Sequence, residues 1–360
     1  YSYKDDAEGN RRFNDAGGGR HDTEDGKRQR QRVRYWAALA ILRCVLSSPA
    51  AAEAMLEKRA EKRKSEADPD FVETEEAFAS QILDSSDDDE TPDYVPSAAL
   101  DDENISLTES ELRKLSGFLR TARSLSGPKQ DIKLADTAEA VSELLRDGYS
   151  PIVFCRFIAT AEYVAKQLQS MLAKTHPGIR VVSVTGGDGN NEQRKAKIEE
   201  LGKESVRVLV ATDCLSEGVN LQEHFNAVLH YDLPWNPQRV EQRIGRVHRF
   251  GQKFDVVVAN FANKGNAAEA RILELLANKF HLFKGVFGAS DKVLGSIEDG
   301  FDFEKKINHI LSDSRSDADI DRAFKDLEKQ YATEISSEMA AAKSKVFDNL
   351  DRIDKILGSS

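Results

Sequence analysis

Val206-Arg207-Val208-Leu209-Val210-Ala211-Thr212-Asp213 is a short apolar run that stops abruptly in two small polar residues. A run of this length, rich in branched aliphatics, reads as a strand buried on both faces, and Thr212-Asp213 as the turn that leaves it. The same design recurs on either side. Strands are expected at Ile152–Cys155, Val181–Val184, Val206–Ala211, Ala227–Tyr231 and Asp255–Asn260, with amphipathic helices at about 159–174, 190–201 and 237–247 between them. Strand and helix alternating at this spacing predict an α/β fold built on a parallel sheet with helices on both faces. Ligands of such sheets meet the loops at the carboxyl ends of the strands. The polar residues fall there: Arg156 after the first strand, Thr185-Gly186-Gly187 after the second, Thr212-Asp213 after the third and Asp232 after the fourth.

Outward from the sheet the composition changes. Residues 1–26 are rich in Gly, Asp and Asn and read as a lead-in loop. A basic run, Lys27 to Arg34, enters an apolar helix from Tyr35 to Leu46. Ser47-Ser48-Pro49 interrupts it, and helical periodicity resumes from Ala50 to Lys64. Residues 65–104 hold 15 Asp or Glu, and no Lys or Arg falls between Lys64 and Arg113. With Pro69, Pro92 and Pro96 among them, they are expected to form a flexible linker. Asp87-Asp88-Asp89-Glu90 follows no apolar strand and is read as part of that linker rather than as a cation-binding box. Helices are expected over Thr108–Leu119, capped by Ser106 or Thr108, and over Thr137–Arg146. Residues 266–360 read as a helical extension broken near Gly288 and Gly295. The organisation expected is therefore 1–64 helical lead-in, 65–104 acidic linker, 105–149 helical entry, 150–265 sheet domain and 266–360 helical extension.

The net charge of −11 does not exclude a polyanionic partner. Removing the linker's −15 from that −11 leaves +4, a mildly basic remainder. Hydrophobic content of 40% supports a sizeable core, and no apolar run is long enough to span a bilayer. Cys44, Cys155 and Cys214 lie far apart without metal-ligand spacing and read as buried, reduced thiols of an intracellular protein. The chain begins at Tyr1 without a signal-peptide pattern and is expected to be part of something longer.

Chemistry concentrates in two further stretches. In Ala211–Gln222, Thr212 and Ser216 can donate to phosphate oxygens, Gly218 allows backbone to approach a ribose, and Asp213 can accept from a hydroxyl or orient an Arg. In Gln238–Gln252, Arg243, Arg246 and Arg249 recur at helical spacing and are expected to share a face as a triphosphate clamp, with Gly245 admitting another backbone or a ligand. A solvated charged face is the bland alternative for such a helix.

These stretches resemble, in order and spacing, the second RecA-like lobe of superfamily-two helicases, and more narrowly the Swi/Snf-type, RapA-like translocases. Pro151–Phe157 is similar to the first motif of that lobe, Ala211–Gln222 to its nucleotide and nucleic-acid coupling motif, and Gln242–Gln252 to its arginine-finger motif. The likeness is dense over 150–262. It extends loosely to Arg32–Arg59 and Phe283–Ile310, which resemble large bacterial helicases of the RapA and phage-defence (DISARM-type) kind.

The resemblance implies a RecA-like sheet flanked by N-terminal and C-terminal helical segments. It implies Arg249 as the finger on the γ-phosphate of ATP, Arg246 as its support and Gln242 near the phosphates or the attacking water. It implies Asp213, Glu217, Gly218 and Asn220 near the nucleotide, with Arg156, Thr185, Gly186, Thr212 and Ser216 on the nucleic-acid backbone. For His248 it leaves a packing or hydrogen-bonding role. The implied partners are nucleic acid, double-stranded DNA by analogy with the translocating branch, an upstream RecA-like lobe and a protein for the C-terminal helices. The implied location is the bacterial cytoplasm, on the nucleoid. One departure stands out: no Gly-x-x-x-x-Gly-Lys-Ser/Thr loop occurs. Gly26-Lys27-Arg28 and Gly202-Lys203-Glu204 lack the closing hydroxyl, and His21 and Lys197 stand where the first Gly belongs. ATP and Mg²⁺ are thus expected to be held mainly by an upstream lobe, and this chain alone to hydrolyse nothing. A catalytically inactive binding module with the same shape is the competing reading; a stand-alone nucleotide-binding domain conflicts with the missing loop.

Overall fold

The computed structural model describes residues 40–61, 93, 109–215, 220–234, 237–249 and 252–261, with isolated helical positions between 310 and 329. The expectations for residues 1–39, for the Asp87–Glu90 run and for the bulk of the C-terminal extension lie outside the described residues.

Residues 40–47 are helical, and α1 (Pro49–Glu61) follows after a one-residue break. Ser48 makes that break a cap. Its hydroxyl accepts from Ala51 N at 3.0 Å, and Pro49 occupies the first helical position, where its missing N–H costs nothing. Two helices precede the sheet, α2 (Glu109–Ser124) and α3 (Ile132–Arg146). The second begins five residues before the expected Thr137, because the Asp131 carboxylate accepts from Leu134 N at 3.0 Å and caps it. The sheet domain then runs β1 (Pro151–Phe154), α4 (Ile158–Leu172), β2 (Arg180–Val184), α5 (Asn191–Gly202), β3 (Arg207–Ala211), β4 (Ala227–His230), α6 (Pro237–Gly245) and β5 (Val257–Asn260). Each of the five expected strands is present, with no end displaced by more than two residues.

All neighbouring strands pair in parallel, in the order β2-β3-β1-β4-β5. The β1 crossover leads toward one edge and the β3 crossover toward the other, so the tips of β1, β3 and β4 surround the switch in direction. Alternation along the strands sends residues to two cores. Val153, Val208, Val210 and Leu229 pack with Leu134, Val141, Val164 and Leu168 of α3 and α4. Ile152, Phe154, Leu209, Ala211 and Val228 pack on the opposite face with Ile198, Leu201, Leu221, Phe225 and Val247. This is a RecA-like α/β sheet covered on both sides. The lead-in is tied to α2: Ala52 and Leu56 of α1 pack on Ala122, and Arg123 bonds Glu53 at 2.6 Å and also Glu57.

Candidate functional site at the carboxyl edge of the sheet

The ladder continues past the strand ends. Cys155 N donates to Ala211 O at 2.8 Å, Thr212 N to Val184 O at 3.2 Å and Tyr231 N to Phe154 O at 3.0 Å. Arg156, Thr185, Thr212, Asp213 and Asp232 are thereby held along one edge, as the spacing of the strands requires.

Asp213 and Arg243 form the centre of that edge. The Arg243 guanidinium donates through Nε and Nη2 to the two Asp213 oxygens, each at 2.7 Å, and through Nη1 to Asp232 O at 2.9 Å. It also lies 5.1 Å from the Phe154 ring centroid, and only 2% of its side chain is exposed. The expected common face of Arg243, Arg246 and Arg249 is therefore corrected: Arg243 points into the sheet. The cause is geometric as well as electrostatic. Helix α6 ends at Gly245, and Arg246 and Arg249 follow in the turn beyond it, Arg246 N still donating to Gln242 O at 3.1 Å. Arg246 is half-buried, while Arg249, Gln242 and His248 are exposed. At Gly245 the space is open: nothing among the described residues lies within 4 Å of where a Cβ would stand.

The turn is fastened on its far side too. Val247 is buried in the second core, and Gln252 Nε2 donates to Phe225 O at 3.0 Å and to Gln222 O and Val247 O at 3.3 Å. Sequence reasoning missed Gln252 as the clasp; an amide that feeds three backbone carbonyls carries no local pattern.

Of the residues expected on the nucleic-acid backbone, Arg156, Thr185 and Thr212 are buried and Gly186 is exposed. Arg156 is 6% exposed, with its guanidinium 5.7 Å from the Phe157 ring, and its backbone N donates to Asp232 Oδ2 at 2.8 Å. Thr185 turns its hydroxyl to Asp188 Oδ2 at 3.3 Å, and Asp188 pairs with Lys197 at 2.7 Å. Thr212 is fully buried. Both Thr212 Oγ1 and Gly186 N donate to Asp93, the latter at 2.6 Å. Asp93 corrects the linker expectation at one point, since this residue of the acidic segment is 6% exposed. Asn220 is exposed at the start of a short 3-10 turn (Leu221–Glu223). Ser216, Glu217 and Gly218 lie outside the described residues.

Asp232 is a second junction. It accepts from Lys133 Nζ at 2.9 Å, Ser47 Oγ at 2.8 Å and Arg156 N. Burial, followed by the Arg243 charge, lowers the pKa of His230 to about 3, and the ring stays neutral against Asn260 Oδ1 at 2.7 Å. All three cysteines are buried, and burial raises Cys44 to about 12 and Cys214 to about 11. Among the described residues no group of three or more His, Cys, Asp or Glu could hold a metal ion, and no helix is long and apolar enough to cross a membrane.

Comparison with known proteins bears on the sheet domain. Residues 136–251 match the helicase conserved C-terminal domain. An uncharacterized ATP-dependent helicase of Bacillus subtilis is 39% identical over 165 residues, which is 46% of this chain and 29% of that protein. Eukaryotic initiation factor 4A-9 of Nicotiana tabacum is 32% identical over 162 residues, 44% of this chain and 38% of that protein. The chain thus spans well under half the length of these curated relatives. The SWI2/SNF2 ATPase core of Sulfolobus solfataricus, solved in complex with double-stranded DNA, superposes with a TM-score of 0.35 and 21% identity, over 54% of this chain and 42% of that one. That overlap is too slight to bear on what this chain binds. The parallel sheet and the domain match fall on one segment: residues 136–251 are similar to the helicase conserved C-terminal domain.

Proposed function

We propose that this chain is the C-terminal motor lobe of an ATP-driven DNA translocase of the Swi/Snf type. The observation that carries the proposal is the fastening of the arginine turn. Arg243 is spent on Asp213 at the tip of β3, Val247 and Gln252 hold the other end, and Arg249 is left exposed between them. A cation on a braced turn loses little freedom when it meets an anion, which suits stabilisation of charge at a transferring phosphoryl group.

Arg246 and Arg249 fit the phosphate oxygens of ATP, with Gln242 beside them at the exposed end of α6, and Asp213, Glu217, Gly218 and Asn220 are the residues proposed near the nucleotide. The chain has no Gly-x-x-x-x-Gly-Lys-Ser/Thr loop, and we assign the triphosphate cradle and Mg²⁺ to an upstream lobe. What ATP supplies is the free energy of phosphoryl transfer. This lobe supplies charge at the cleft and a grip on the nucleic-acid backbone through Arg156, Thr185, Gly186, Thr212 and Ser216. Because Arg243 joins β3's tip to the helix leading into the turn, a shift at Thr212 is delivered to Arg246 and Arg249 through rigid contacts.

The test is Arg249→Ala in the protein that joins this chain to its phosphate-loop lobe. Duplex-stimulated ATP hydrolysis is expected to fall about 10³-fold or more, with thermal melting unchanged. Turnover within a few-fold of wild type would remove the finger assignment. Residues 1–360 alone are expected to show no hydrolysis above background.

A further inference from the structure

The donors assigned above to a nucleic-acid phosphate are already occupied by a carboxylate of the same chain. Asp93 Oδ2 accepts from Gly186 N at 2.6 Å and from Thr212 Oγ1, while Asp93 O accepts from Ile158 N, at the start of α4, at 2.7 Å. These are a backbone N–H following β2, a hydroxyl following β3 and the N-terminal amide of a helix following β1. The three strand tips converge on one anionic residue. The approach is close enough that a Cβ on Gly186 would stand 2.5 Å from Asp93 Oδ1. Asp93 also comes from far away in sequence: it is 93 residues from Gly186 and 119 from Thr212. It belongs to a segment of 15 acidic and no basic residues.

A carboxylate and a phosphodiester present the same thing to such donors, two anionic oxygens with open lone pairs. We propose that Asp93 is an internal phosphate mimic that seals the backbone-binding edge of this lobe, so that nucleic acid gains the site only by displacing it. The inference rests on the nucleic-acid reading of Gly186 and Thr212 given above and adds its regulation. Displacement exchanges one set of hydrogen bonds for another of the same kind, so the seal lowers affinity without preventing binding. It also disfavours short or isolated anions, which offer one phosphate against a tethered carboxylate, and favours a strand whose further phosphates bind elsewhere on the lobe.

The experiment measures binding of a fluorescein-labelled duplex of about 20 base pairs to the full chain, by anisotropy at fixed ionic strength. Asp93→Asn is the first variant, because its amide oxygen can still accept from Gly186 N and preserve the loop. Affinity is expected to rise about tenfold, as removal of one like charge beside a phosphate allows. Thr212→Val in the Asp93→Asn background should reverse most of that gain, since the freed hydroxyl is what the phosphate uses. A second measurement needs no variant: on adding duplex to the wild-type chain, the peptide carrying Asp93 should exchange its amide hydrogens faster.

Unchanged or weaker binding by Asp93→Asn, or unchanged exchange in the Asp93 peptide with duplex bound, overturns the seal while leaving the nucleic-acid reading in place. Failure of every variant to bind duplex overturns the nucleic-acid reading itself, and the seal with it.

Discussion

Arg243 and Arg249 belong to one short stretch, yet one is buried against the sheet and the other is open to solvent. Arg243 has a fixed partner for each nitrogen of its fork: two oxygens of Asp213 and the carbonyl of Asp232. Arg249 stands on a turn held by Val247 and Gln252, with its side chain exposed. The contrast shows how a run of identical residues divides its labour. The guanidinium nearest the strand tips anchors the element, and those further along are presented by it. A charged residue in such a site therefore cannot be assigned a chemical role from type and spacing; its burial decides.

The sharpest way to break this comparison is to remove each arginine in turn. Arg243→Ala removes the guanidinium that bonds both oxygens of the buried Asp213 carboxylate and is expected to cost about 3–5 kcal/mol in urea unfolding. Arg249→Ala, at an exposed position, should cost less than about 0.5 kcal/mol. Similar losses from both would mean that the two do not differ as described.

That division also marks where the sequence could be read and where it could not. The strands declared themselves, because Ile152-Val153-Phe154 and Val208-Leu209-Val210 are apolar on both faces and bounded by polar turns. The carboxyl-edge residues followed from them, since strand ends place Arg156, Thr212 and Asp232 whatever else happens. Helical spacing suggested one face for the three arginines; the end of α6 at Gly245 and the pull of Asp213 cancelled it. Asp131 is a cap three residues before Leu134, a local signal that was present and overlooked. Asp93 had no local signal at all. Its partners come from turns distant in sequence, and an acidic, proline-bearing stretch gives no hint that one of its carboxylates is buried.

His230 sharpens the comparison through pH. Its folded pKa, pulled down to about 3 by burial and then by the Arg243 charge, lies below the ordinary value near 6.5. The unfolded chain therefore binds the extra proton first, and stability is lost as pH falls through the window between those two values. Over the two units below pH 6.5 the loss from this group is expected to be about 2–3 kcal/mol, read as a drop in the urea midpoint. In Arg243→Ala the folded pKa should rise, so this group's loss should level off at a higher pH; levelling at the same pH would show that Arg243 does not reach this ring.

A smaller effect is expected away from the arginines. Asp131 caps α3 through Leu134 N and accepts from Tyr163 Oη at 3.0 Å, while Gly127 N donates to that same oxygen at 2.8 Å. Asp131→Ala should cost about 1–2 kcal/mol, checked by thermal melting, and should leave duplex binding as it was.

The smallest change is expected at Cys214, beside Asp213. With its thiol raised to about 11 by burial, it should react with a maleimide at pH 7.5 far more slowly than a free cysteine. Arg243→Ala should speed that reaction by loosening the turn; equal rates in the two proteins would place the anchor elsewhere.

Lys133 joins the lead-in to this edge. Its ammonium donates to Leu46 O at 3.2 Å, Ser47 O at 3.0 Å and Asp232 Oδ1 at 2.9 Å, and lies 4.1 Å from the Tyr231 ring centroid. A tug on the chain ahead of Ser48 is thus borne at the tip of β4 and not absorbed by slack between separate bodies.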